Sequence, residues 1–305
     1  MNGETTVDGY QDIHHNMRFW MTTLVDCAVR ELVHAGVAQG QGASQGPSAP
    51  PSPNGSHVPG SSRPLVIYDI GANDGELTVP VAGRQLATGP SSPAVRVVAF
   101  EPQPAARARL MARTAQRGLT AALWGEADVT VVPLALGDRD ELIALEVYSD
   151  DTFSSLHSRP PEELERYHLQ VVETVDIRMR PLDDLVAAEI VPPPDIVKID
   201  VEGAERAVLA GARKTLSRYH PPMLVEFSCP NCANAGYGRS AIVDELKAAG
   251  YNRLAGLFRN EDPALYTEDA FDDCRIWNVL AVHATYSPEV GAVMDRYHTP
   301  WKGSP

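Results

Sequence analysis

Two rhythms of apolar residues run along this chain, in separate places. Near the N-terminus, Ile13, Met17, Trp20, Met21, Leu24, Ala28 and Leu32 recur at steps of three or four. That spacing lines one face of a helix within residues 10–35, which we expect to pack on the main domain. From residue 64 onward, solid apolar runs alternate with stretches of helical period. The runs 65–70, 96–100, 129–134, 195–200 and 223–227 predict buried strands, and 76–87, 103–117, 203–218 and 239–249 predict helices. Closing strands are expected near 251–257 and 276–282. Residues 142–148 and 172–180 alternate apolar with polar, as an antiparallel hairpin does, and enclose a long loop, 149–170. The pattern predicts an α/β fold: a Rossmann-like, mostly parallel sheet with helices on both faces and an inserted β-hairpin. No internal repeat is visible.

Residues 36–63 follow neither rhythm. They are rich in Gly, Ser, Pro and Gln with almost no large apolar side chain, so they cannot bury enough surface to offset their ordering entropy. The chain therefore divides into an N-terminal helical segment (1–35), a disordered linker (36–63) and one folded domain (64–298).

Charge and cysteines narrow the picture. Forty acidic against 26 basic residues leave a net charge of −14, a field that repels phosphate polymers, so no nucleic-acid partner is expected. Four cysteines do not make a disulfide framework. Asn2, Gly3 and Glu4 do not begin a signal peptide. The apolar stretch 17–29 is interrupted by Arg18 and Asp26, so no transmembrane segment is expected. These features together read as a cytoplasmic protein.

In an open sheet of this kind, ligands bind beyond the carboxyl ends of the strands. The first predicted strand runs into Asp69-Ile70-Gly71-Ala72-Asn73-Asp74-Gly75. Gly71 and Gly75 allow a tight turn close to a ligand, and the N–H groups of the next helix could serve a phosphate or a carboxylate. A dinucleotide fingerprint requires a glycine where Asn73 stands; a purely structural turn would also account for these residues. The second strand ends at Glu101, placed where a carboxylate can accept from both ribose hydroxyls. The third leads to Gly137-Asp138, suited to an adenine ring or to an ordinary turn. The fourth carries Lys198, Asp200 and Glu202 alternating with apolar residues, hence on one face. Such charges are costly beside a buried strand unless paired. A structural Lys198–carboxylate pair and a site cluster both fit.

The series IYDIGANDG, VVAFEPQP, VVPLALGD, DDTFSSL, VDIRMRPLDDLV, DIVKIDVEGAERAVLAGARKTL and PPMLVEF resembles the FkbM family of methyltransferases over residues 64–230, most specifically at KIDVEGAE. The resemblance implies a class I methyltransferase fold, S-adenosylmethionine as donor and usually a hydroxyl oxygen as acceptor. It implies that Asp69, Gly71, Asn73 and Gly75 cradle the methionine part, Glu101 holds the ribose and Asp138 lies near the adenine. Asp200 and Glu202 would sit at the methyl-transfer mouth, with the loop 151–156 closing over a small-molecule or glycan acceptor. A hydroxyl must lose its proton as it attacks, so a general base is needed. Asp200 is the first choice and Glu202 the second, with Lys198 holding their charge or pairing structurally. His157 and His168 are alternatives in the inserted loop.

Cys229-Pro230-Asn231-Cys232 offers two of the four ligands a zinc site needs, with Cys274 and His283 as possible completions. Two free thiols in a turn are the simpler expectation, and no metal is expected. A nicotinamide-dependent oxidoreductase and a catalytically silent ligand-binding protein on the same fold are the competing functional readings.

Overall fold

A computed structural model describes residues 17–28, 64–88, 94–258, 264–283, 285 and 288–299. Residues 17–28 form a helix, α1. The strands that follow are β1 (Leu65–Ile70), β2 (Val95–Phe100), β3 (Ala121–Leu123), β4 (Val129–Val132), β5 (Ala135–Leu136), β6 (Glu141–Tyr148), β7 (Val171–Arg180), β8 (Ile196–Ile199), β9 (Met223–Glu226), β10 (Tyr251–Phe258), β11 (Leu265–Tyr266), β12 (Ile276–His283) and β13 (His298–Thr299). Between them lie α2 (Thr78–Thr88), α3 (Pro104–Gln116), α4 (Pro161–Arg166), α5 (Leu182–Ala187), α6 (Glu205–Gly211), α7 (Arg213–Tyr219), α8 (Cys229–Asn234), α9 (Ser240–Ala248) and α10 (Pro288–Tyr297).

Among the described residues the main sheet has the order β13-β11-β10-β12-β9-β8-β1-β2-β4-β3. Its centre, β9-β8-β1-β2-β4, is parallel, and β12 and β10 join it antiparallel. Every residue of β1 is buried. Val66, Tyr68 and Ile70 enter one core, and Leu65 and Ile67 enter the other. A strand covered on both faces has no polar side to alternate with, which is why the run 65–70 is apolar apart from Asp69 near its carboxyl end. The chain winds from β1 outward through β2 and β4, then returns to β8 on the other side of β1. The order therefore reverses at β1, and its carboxyl end faces the crevice where ligands bind in such sheets.

Helix α1 buries Met17, Trp20, Met21, Leu24 and Val25 in the second core, and Trp20 meets Tyr297 of α10 edge-on at 5.2 Å. The segment 36–63, expected to be a linker, lies outside the described residues.

The inserted hairpin is present: β6 and β7 pair antiparallel, with β5 alongside β7. The run 129–134 is divided differently from the sequence reading. Strand β4 ends at Val132, Pro133 has no N–H to continue a ladder, and β5 joins the hairpin's sheet instead. The single helix expected over 203–218 is two, α6 and α7, meeting at Ala212.

Candidate active site

The site begins where β1 stops. Gly71 has φ +79°, and a Cβ there would lie 1.8 Å from the Asp200 carbonyl oxygen. Only glycine permits this approach. It lets the end of β1 sit against the end of β8, where the Asp200 N–H donates to the Ile70 carbonyl at 3.1 Å. Asn73, also in left-handed conformation at φ 44°, donates its backbone N–H to Glu101 Oε2 at 2.8 Å, and Gln103 N–H donates to Oε1 at 2.8 Å. Two backbone donors thus fix the Glu101 carboxylate at the end of β2. Burial nevertheless pushes its pKa up to about 7, against the lowering effect of those hydrogen bonds.

Lys198 locks the two central strands together. Its Nζ lies 3.0 Å from Asp69 Oδ1 and 3.5 Å from Asp200 Oδ2, and it donates to the Gly71 carbonyl at 2.7 Å. Burial alone would lower the lysine pKa, but the Asp69 and Asp200 carboxylates more than offset it and leave it above its ordinary value. The structural pairing expected as one alternative for Lys198 is therefore present, and it holds Asp200 at the strand end.

Lys198, Asp200 and Glu202 do not share a strand face, contrary to the sequence reading. Strand β8 ends at Ile199, and Glu202 lies in a left-handed turn at φ 53°. Its Oε2 accepts from Arg159 Nη2 at 2.6 Å and from Asn231 Nδ2 at 2.9 Å. Asn231 Nδ2 also donates to Glu226 Oε1 at 2.9 Å. Glu226 closes β9 and is 3% exposed. Burial pushes its pKa well up, with Glu202, Asp200 and Glu205 adding repulsion.

The inserted loop reaches the site through Arg159, whose side chain is 3% exposed. Its guanidinium also bonds Glu163 and the Phe153 carbonyl and lies 5.0 Å from the Phe153 ring. Ser155 Oγ donates to the Glu202 carbonyl at 2.8 Å, and Arg109 pairs with Asp151.

One pocket joins these parts, lined on one side by Asp69, Gly71, Asn73 and Glu101 and on the other by Asp200 and Glu202. Lys198 borders both, and Asp151, Thr152, Phe153, Ser154 and Leu156 close it. Asp138 is not brought there: its side chain is 45% exposed beside Arg139, and Leu134, Ala135 and Leu136 line the pocket at that point. Gly75 packs behind the turn against Leu110. Neither His157 nor His168 is among the lining residues.

Sequence reasoning missed Arg159, Asn231 and Glu226. Glu226 ends an apolar strand just as Glu101 does, so the same strand-end rule finds it. Arg159 and Asn231 come from outside the central strands and carry no such signal.

The expectation of two free thiols fails at Cys229, which is disulfide-bonded to Cys274. The register that pairs Glu226 with Asn278 brings the residues just past β9 against those just before β12. Cys232 is a buried free thiol with its pKa pushed up to about 12, chiefly by burial. No thiolate pair is left for zinc, and a disulfide sits uneasily with the cytoplasmic expectation. Among the described residues, no helix is long and apolar enough to cross a membrane.

Residues 69–253 match the sequence profile of the methyltransferase FkbM domain. No curated protein matches the chain. Among solved structures, methyltransferase FkbM from Methylobacillus flagellatus KT is 17% identical, with 72% of this chain and 44% of that one covered and a TM-score of 0.40. This chain thus spans under half the length of that protein. Magnesium protoporphyrin IX methyltransferase from Synechocystis PCC 6803, with bound SAM, is 12% identical over 93% of this chain and 87% of that one, TM-score 0.40. Fibrillarin from Aeropyrum pernix, in complex with S-adenosyl-L-methionine, is 13% identical over 72% and 67%, TM-score 0.32.

Proposed function

Because this chain belongs to the methyltransferase FkbM family, whose methyl donor is S-adenosylmethionine, we propose that it methylates a hydroxyl oxygen of a small molecule or sugar. The observation that carries this reading is a pocket lined both by Glu101 and the turn residues 71–74 and by the carboxylates of Asp200 and Glu202. One side suits a polar nucleoside; the other suits a group that must give up a proton.

When bound, S-adenosylmethionine supplies a methyl group already activated on a sulfonium. The protein's part is then alignment, worth up to ~7–11 kcal/mol, and removal of the acceptor proton, worth ~10²–10⁴-fold. Each Glu101 oxygen already accepts one backbone N–H and keeps a lone pair for a ribose hydroxyl. Asp69, Gly71 and Asn73 would hold the methionine part, and Lys198 balances the charge of Asp69. Asp200 would take the proton of an acceptor hydroxyl held at this end of the pocket. Glu202, engaged through Oε2 by Arg159 and Asn231, positions the acceptor; burial pushes its pKa up to about 7, which leaves it as the second candidate for the proton. Asp138 has no part unless the 134–138 segment shifts.

The test is incubation of the protein with methyl-labelled donor and a lysate of its source cells, followed by isolation of the labelled product. A product carrying a methyl ether supports the reading; methyl on carbon or nitrogen overturns the acceptor class. With the acceptor in hand, Asp200→Asn is expected to cut turnover by about 10²-fold or more while changing donor affinity less than about tenfold. Unchanged turnover with a lower melting temperature would make the Lys198–Asp200 pair structural.

A further inference from the structure

At the acceptor end of the pocket the oxygens of Asp200, Glu202 and Glu226 come within 4.8 Å of one another. Each of these carboxylates has one oxygen engaged by the protein. Asp200 Oδ2 faces Lys198, Glu202 Oε2 takes Arg159 and Asn231, and Glu226 Oε1 takes Asn231. The remaining oxygen of Glu226, Oε2, is buried, with no donor beside it other than the carboxyl group of Glu205. It is turned away from solvent on a side chain only 3% exposed. The neighbouring carboxyl, Glu205, is no donor when ionised; its Oε1 already accepts the N–H groups of Val201 and Gly203. A buried acceptor without a partner is costly, and a buried charge more so. The surroundings do not supply the missing charge. Among the described residues, the cations that meet Asp69, Asp200, Glu202, Glu205 and Glu226 are Lys198 and Arg159.

We propose that Asp200, Glu202 and Glu226 bind a hard divalent cation of the Mg²⁺ or Mn²⁺ class through their carboxylate oxygens. The donor chemistry fits: carboxylate oxygens alone, with no thiolate or imidazole, select such ions over zinc or copper. One oxygen from each carboxylate lies within 4.8 Å of the other two, close enough for small side-chain adjustments to bring all three onto one ion at about 2.0–2.6 Å. Asn231 is the positioning residue, since one amide nitrogen holds both Glu202 and Glu226 in place. Asp200 and Glu202 line the pocket, so the ion leaves coordination positions open toward it. An acceptor hydroxyl entering there would be oriented and made more acidic. That last role rests on the hydroxyl-acceptor reading above; the ion site itself does not.

The experiment is Mn²⁺ titration of the full chain at pH 8, followed by electron paramagnetic resonance of the free ion, with Mg²⁺ and Ca²⁺ as competitors. One Mn²⁺ is expected per chain, displaced by Mg²⁺. Glu226→Gln is expected to bind it about 10–100-fold more weakly while melting cooperatively. If that variant does not fold, Glu202→Gln, whose side chain is partly exposed, is read in its place and is expected to show the same loss. The proposal is overturned if the parent protein binds no Mn²⁺ at millimolar-scale concentration, or if both variants bind as the parent does. In either case a proton shared between Glu205 and Glu226 meets the need of Oε2. Methyl transfer is not read here, so absence of the ion leaves the acceptor assignment standing, and a product other than a methyl ether leaves the ion site standing.

Discussion

Glu101 is buried, tied by two backbone N–H groups, and still drawn toward neutrality, with a pKa of about 7. Its folded pKa lies above its unfolded one, so the folded state holds the proton more tightly. The resulting stabilisation is present at low pH and is lost as pH rises from about 4.5 to about 7. Ribose binding needs the opposite form, the carboxylate that accepts. Donor affinity measured by calorimetry is therefore expected to fall as pH drops below 7, approaching tenfold per unit. Glu101→Gln should abolish this slope, and Glu101→Ala should weaken donor binding at pH 8 by about 1.5–3 kcal/mol. A flat profile in the parent protein would detach Glu101 from the donor. At this scale, sequence legibility follows the strands. Glu101 and Asp200 stand out because a polar residue directly follows an apolar run, and Asp69 and Gly71 because a charge and a glycine flank the last apolar residue of β1. Arg159 and Asn231 meet Glu202 across 43 and 29 positions of sequence, and no local pattern encodes such a meeting.

Helix α6 shows how an element can be correctly recognised and wrongly bounded. The apolar period across 203–218 is real, but Gly211 passes so close to the inserted sheet that a Cβ would lie 1.8 Å from the Gly137 carbonyl oxygen. The contact is backbone on backbone, invisible to a pattern of side chains, and the helix breaks one residue later. In an isolated helix Gly→Ala gains about 1 kcal/mol. Here Gly211→Ala is expected to destabilise by about 1–3 kcal/mol through overpacking, a reversal of sign that denaturant unfolding would detect. Short α8 depends on a different device. Its first residue, Cys229, is bonded to Cys274 across 45 positions, and its Asn231 holds two carboxylates of the site. Reduction, or Cys274→Ser, is expected to cost about 2–4 kcal/mol and to lower the melting temperature. Equal melting with and without reductant would show that the bond does not form in solution. The pairing escaped sequence reasoning because it depends on β12 lying antiparallel to β9, and strand order is not written in local periodicity.

Across the whole molecule, the parallel centre of the sheet was legible because burial on both faces leaves an unmistakable solid run. The attachment of α1 was legible only in part: its period names an apolar face but not the surface that receives it. That surface is the second core, where Trp20 is fully buried among residues of β1, β2 and α10. Trp20→Ala is accordingly expected to cost about 3–5 kcal/mol. Met17 lines the pocket, and Arg18 is bonded to Glu76 at 2.5 Å. A chain beginning at Ser62 should therefore melt lower and bind donor more weakly than the full chain. Unaltered melting would show that α1 does not occupy this seat.

The seating of α1 also means that this fold is assembled from two stretches of chain that reach each other only through a segment poor in apolar residues. In effect the helix is a ligand of the domain that happens to be covalently attached, and covalency supplies concentration, not contacts. A synthetic peptide of residues 10–35 added to the chain beginning at Ser62 should thus restore donor binding and melting temperature in a saturable, dose-dependent way. The same peptide with Trp20 and Leu24 replaced by alanine should restore neither.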